Sequence, residues 1–234
     1  MPKLKDILSP SFKSAIRPQA SMVSVSRADD SDFCLETVAK GWLTTEQMRH
    51  AAERYRLGKS KSGKPIFWMI DELGILRDGH LGDTWVSQLL KARNPELTKS
   101  IPVSHCLFGL HLLTAEDRDF AECTIAPEPA VISIVESERS AVILSELIPE
   151  SLWMAYSVLP NLTPDLLAPL AGHTVIFYPR TDPSMSNYVF FLEYASQVRS
   201  LYPSININVD STLEDCASTS QKSRCIDLLD FILE

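Results

Sequence analysis

Glycine is scarce in this chain: eight residues of 234, and beyond Gly109 only Gly172. Phosphate cradles built on glycine-rich turns need a backbone that approaches the ligand closely, and neither G-x-G-x-x-G nor a P-loop occurs. The five cysteines (Cys34, Cys106, Cys123, Cys216, Cys225) are scattered, odd in number and never spaced C-x-x-C. Neither a disulfide framework nor a zinc knuckle is indicated, and buried free thiols are expected. The five histidines (His50, His80, His105, His111, His173) show neither H-x-x-x-H nor H-x-H spacing, which argues against zinc. No apolar run approaches the ~18 residues of a membrane span, and the opening stretch lacks a signal-peptide core. We therefore expect a cytoplasmic protein without membrane contact. Positive charge is also short: 22 basic against 30 acidic residues leave a net charge of −8, so no global field draws the chain to nucleic acid.

What is present suits one large or two small domains, with 45% hydrophobic and 22% charged residues. Residues 1–30 mix Pro, Ser, Lys and Asp without sustained periodicity and read as a flexible leader. Residues 31–126 read as a smaller α+β region. Thr44-x-x-Gln47 has the form of a capping box, Met48, Ala51, Ala52 and Tyr55 make a helical stripe, and Gly58 is expected to stop it. "PIFWMIDELGILRDG" reads as a β-hairpin turning at residues 72–74, and residues 84–93 as a short helix capped by Asp83 or Thr84. "SHCLFGLHLL" is apolar and ambiguous, "TAEDRDFAEC" reads as a surface turn, and the two prolines of "APEPA" mark the internal boundary.

The run from Arg54 to Lys64 carries five cations and no acid. Arg54, Arg56, Lys59, Lys61 and Lys64 are candidates for contacting phosphate of DNA or RNA, set against the alternative of a solvated loop after a helix. Trp42, Trp68, Trp85 and Trp153 lie in apolar surroundings and are expected in cores rather than as base-stacking platforms.

Residues 127–234 alternate strand and helix: strands over 131–135, 152–158, 173–179 and 204–209, with helices over 138–147, 163–170 and 187–201 between them. Residues 210–224 read as a polar loop and "CIDLLDFILE" as an amphipathic helix or an irregular apolar segment. The rhythm predicts an α/β domain with a Rossmann-like parallel sheet. Glu136, in "VISIVESERSAVILSE", then falls where a buried strand gives way to a helix. It is either a reactive group at the ligand-binding edge or a carboxylate favoured by the helix start.

"VES" (135–137) and "YPRTDP" (178–183), brought to one sheet edge, resemble a toprim domain, the fold shared by bacterial primases, type IA and II topoisomerases and related nucleases. More narrowly, "YRLGKSKSGKPIFWMIDELG", "SHCLFGLHLL", "VESERSAVI" and "IDLLDFILE" resemble an uncharacterised bacterial family of toprim-like, primase-type proteins carried on mobile elements, from about residue 43 onward. The resemblance implies a role in DNA replication or processing and Mg²⁺ held at strand ends, with Glu136 as catalytic group and metal ligand and Asp182 as the second aspartate of Asp-x-Asp. Arg180 stands in place of the first aspartate. A guanidinium there repels a metal and pairs with the remaining carboxylates, or serves as a cation for phosphate. The loop "AYSVLPNL" lacks the glycines many relatives carry there, and no cysteine-rich zinc ribbon precedes the hairpin, where only Cys34 occurs. Asp227 or Asp230 is the candidate replacement carboxylate, against a capping role. Two functions follow: primase- or nuclease-type phosphoryl transfer with a weakened Mg²⁺ site, or a catalytically inactive toprim-fold adaptor that binds nucleic acid or another replication protein.

Overall fold

The computed structural model describes residues 23–24, 28–93, 105–113 and 130–234, and the chain divides into two compact units, Met1–Glu122 and Cys123–Glu234. The expected surface turn over 114–123, most of the proline boundary and most of the leader lie outside the described residues.

In the first unit, strands β1 (Val23–Ser24), β2 (Gly58–Ser60), β3 (Pro65–Ile70), β4 (Leu76–Leu81) and β5 (Thr84–Trp85) form an antiparallel sheet in that order. The expected hairpin is its centre, β3–β4. Its turn is organised by the buried Asp71, whose Oδ1 accepts the N–H groups of Leu73 (3.0 Å) and Ile75 (2.8 Å) while Oδ2 accepts from Arg77 Nε (2.6 Å). Helix α1 (Asp32–Ala39) starts at Ser31, and α2 (Thr45–Arg54) carries the capping box read from Thr44 and Gln47. Two boundaries differ from expectation. Gly58 does not stop α2, which ends at Arg54, but opens β2, where a Cβ would meet the Trp68 indole at 2.5 Å. Thr84 and Trp85 pair with β4 rather than beginning a helix, and α3 runs Val86–Arg93. The ambiguous apolar block contains a 3₁₀ turn, Leu110–Leu113. Trp68 is buried as expected, whereas Trp42 and Trp85 are partly exposed.

In the second unit, β6 (Val131–Val135), β7 (Leu152–Ala155), β8 (Thr174–Phe177) and β9 (Asn206–Val209) pair in parallel in the order β7-β6-β8-β9. All four expected strands are present, each but β6 shorter than its apolar run. Helix α4 (Glu138–Leu147) follows β6, and α5 (Ser186–Leu201) follows β8. The segment after Thr163 is a 3₁₀ helix, Pro164–Leu170, as two prolines in seven residues favour. The loop expected over 210–224 instead contains α6 (Thr212–Cys216) and α7 (Thr219–Ser223), the latter with its own capping box from Ser218 and Gln221. Short caps of this kind carry no apolar periodicity and escape a pattern reading. Helix α8 (Leu228–Leu233) then packs on α4. Because β6→α4→β7 and β8→α5→β9 run in opposite directions along the sheet, right-handed crossovers place α4 and α5 on opposite faces. Ile132, Ile134, Val135, Val175 and Phe177 are accordingly buried, as a sheet covered on both sides requires.

The carboxylate of Asp78, fully buried on β4, accepts from the Ser87 N–H (3.0 Å) and Ser87 Oγ (2.6 Å) at the start of α3. Ser87→Ala strips one donor from a buried charged oxygen and is expected to lower stability by about 1–3 kcal/mol in urea unfolding. A loss below about 0.5 kcal/mol would mean that the oxygen finds another donor.

Candidate functional site

After β6 the chain turns toward β7, and after β8 it turns the other way, toward β9. The carboxyl ends of β6 and β8 therefore flank a topological switch point, where open α/β sheets bind ligands. Glu136 follows β6 directly, and Arg180, Thr181 and Asp182 lie in the loop after β8.

Glu136 is half-buried, and its Oε2 lies 3.5 Å from Arg180 Nε. Its carbonyl accepts the Ser157 N–H at 3.0 Å, tying the loop after β7 to the same edge. Ser157 has a φ of 65°, and the Val158 N–H returns to the Tyr156 carbonyl at 2.7 Å, forming a γ-turn of the strained hand. The neighbouring Tyr156 is buried. Burial first, then the nearby Glu136 carboxylate, push its hydroxyl far above the ordinary range; Arg180 opposes this and Asp227 adds to it. A hydrogen bond to the Glu136 carboxylate acts in the same direction, so the phenol stays protonated and its proton is committed to Glu136.

Asp182 has a different role from Glu136. Its Oδ1 accepts from Ser184 N–H (2.8 Å), Ser184 Oγ (2.5 Å) and Ser186 N–H (3.2 Å), and its Oδ2 accepts from Asn187 N–H at 2.9 Å. Four donors saturate the carboxylate in the turn that launches α5. Burial alone would raise its pKa, but these hydrogen bonds outweigh it and hold the group far below the usual carboxylate range. Magnesium takes hard oxygen ligands and would compete with those donors for the same lone pairs.

Asp227 reaches the same edge. It caps α8 by accepting the Asp230 N–H at 2.9 Å, with Asp230 completing a capping box, and its Oδ2 accepts from Ser140 Oγ on α4 at 2.5 Å. Among the described residues no three His, Cys, Asp or Glu side chains converge as a metal-binding group. Arg180 is exposed, and its Nε also donates to the Cys225 carbonyl at 3.1 Å.

The basic run of the first unit is not one loop. Arg54 ends α2 and its Nη2 lies 3.3 Å from His50 Nδ1; Arg56 takes a left-handed φ of 51°. Lys59, on β2, pairs with Asp30 at 2.5 Å. Lys61 and Lys64 are the exposed members, in the turn joining β2 to β3. The hairpin fold therefore distributes the five cations over a helix end, a strand and a turn.

Sequence reasoning did not single out Tyr156, Ser157, Ser140 or Thr181. The only signal for Ser157 was negative: a glycine-free loop, read as unable to approach a ligand, holds a positive φ on a serine.

Residues 35–181 match a family described as a domain of unknown function (DUF6371), and the chain, more than half of which is matched, belongs to that family. No curated protein and no solved structure matches it.

Asp182 generates a pH prediction. A depressed folded-state pKa contributes stability that is fully present above the unfolded value of about 4 and is lost as pH falls below it. Asp182→Asn should lower stability at pH 7 by about 2 kcal/mol in urea unfolding, and its deficit relative to wild type should shrink as pH falls from about 5 toward 2. A deficit that does not change with pH would show that Asp182 acts by shape alone.

Proposed function

We propose that this protein is a Rossmann-like, toprim-like module of a mobile element, associated with DNA replication or processing. Its switch-point edge takes a phosphoryl oxyanion through Arg180 rather than a catalytic Mg²⁺. The observation that carries the reading is the fate of the acidic motif: Asp182 is saturated by four donors at the start of α5, and Arg180 stands against Glu136. A guanidinium supplies forked donors to a phosphate without a metal, so the edge is suited to binding and poorly suited to metal-assisted displacement. The phosphate would belong to DNA or RNA, or to a nucleic-acid end presented with another replication protein.

Metal-dependent primase- or nuclease-type transfer through Glu136 and Asp182 is the second reading. It is favoured by the approach of Asp227, a third carboxylate, close enough to act on Tyr156 together with Glu136.

Calorimetry separates the two. Wild type should bind inorganic phosphate, Arg180→Ala should weaken it about tenfold or more, and Mg²⁺ and Mn²⁺ should give no submillimolar binding. Submillimolar metal binding abolished by Glu136→Ala would establish the second reading in place of the first.

A further inference from the structure

The walls of the switch-point crevice are bridged by three consecutive residues of the chain itself. On the β8 side, Arg180 Nε donates to the Cys225 carbonyl at 3.1 Å and the Thr181 N–H donates to the Ile226 carbonyl at 2.9 Å. On the β6 side, Ser140 Oγ of α4 donates to Asp227 Oδ2 at 2.5 Å. Residues 225–227 thus present two carbonyl oxygens and a carboxylate to a guanidinium, a backbone amide and a hydroxyl. Those are the donor types that hold a bound phosphate or carboxylate.

We infer that residues 225–227 form an internal strap that occupies the donors of this crevice as a ligand's oxygens would, so that an oxyanion gains the Arg180 Nε and the Thr181 amide only when the strap lifts. This inference rests on the anion-binding reading of the same edge. Two features mark the strap as more than packing. Cys225 holds a left-handed φ of 52° although it is not glycine, placing backbone strain at the point where the strap begins. Thr181, fully buried beneath it, has an Oγ1 without a hydrogen-bond partner, a donor that the strap leaves unused. The flank of the strap is held only to its own segment: the Arg224–Glu234 ion pair, at 2.6 Å, joins side chains that are 54% and 36% exposed. Ile226 is buried and anchors the closed state, so opening is a minor population that a ligand selects.

The test uses the full chain. Asp227→Asn keeps a good helix cap for α8 but removes the charge from the bond to Ser140. Thr181 amide hydrogen exchange should accelerate about tenfold, while the amides of Tyr178 and Asp210, which donate to Ile134 and Phe177 across the sheet, stay unchanged. Affinity for inorganic phosphate, measured by calorimetry, should rise severalfold. Ser140→Ala cuts the same fastening from the other side and should reproduce the exchange result, which keeps the test intact if Asp227→Asn does not fold. No change at Thr181, or an equal rise at all three amides, overturns the strap. Phosphate bound equally by wild type and Asp227→Asn overturns the strap and leaves the anion site standing, whereas phosphate bound by neither removes both.

Discussion

Pairing of β6 on both sides, with β7 and with β8, is the constraint from which the second unit follows. A central strand of a parallel sheet must be apolar on both faces, and Ile132, Ile134 and Val135 meet that demand. Once β6 is central, right-handed crossovers send α4 and α5 to opposite faces, and their diverging starts leave a crevice between the ends of β6 and β8. Glu136 and Arg180 stand at that crevice because of the topology. Their meeting owes nothing to the 43 residues of sequence between them.

Acidic side chains at this edge are sorted by what they accept. Asp182 is committed to four donors at the start of α5 and Asp227 to the cap of α8 and to Ser140, whereas Glu136 keeps a longer, half-exposed contact with Arg180. A carboxylate saturated by backbone N–H groups is fixed in charge and in place, which suits a structural hinge between strand and helix. Glu136, by contrast, is half-buried, accepts from the buried Tyr156 phenol and faces the Arg180 guanidinium. The functional reading therefore turns on Glu136 and Arg180, with Asp182 as scaffold.

Much of this was legible from residue order. The alternation of apolar runs after residue 130 marked four strands and three helical segments, one of them a 3₁₀ helix in the structure, and α4 was read at its observed bounds because "ERSAVILSEL" keeps a helical stripe behind a strand-ending carboxylate. The Thr44–Gln47 capping box is local, its partners three residues apart, and local devices are what pattern reading can reach. Trp85 was misread for the complementary reason: its pairing with His80 belongs to the edge of a sheet, and the residues themselves fit a helix start equally well.

The sequence by itself determined the four strands and the two long helices of the second unit, the parallel character of its sheet and the presence of Glu136, Arg180 and Asp182 near strand ends, since each rests on periodicity or on neighbours a few residues away. Only the tertiary structure decided that residues 225–227 reach back across the crevice to Ser140, Arg180 and Thr181. These contacts join residues as many as 87 positions apart, and chain connectivity places no constraint on such pairs until the sheet has formed.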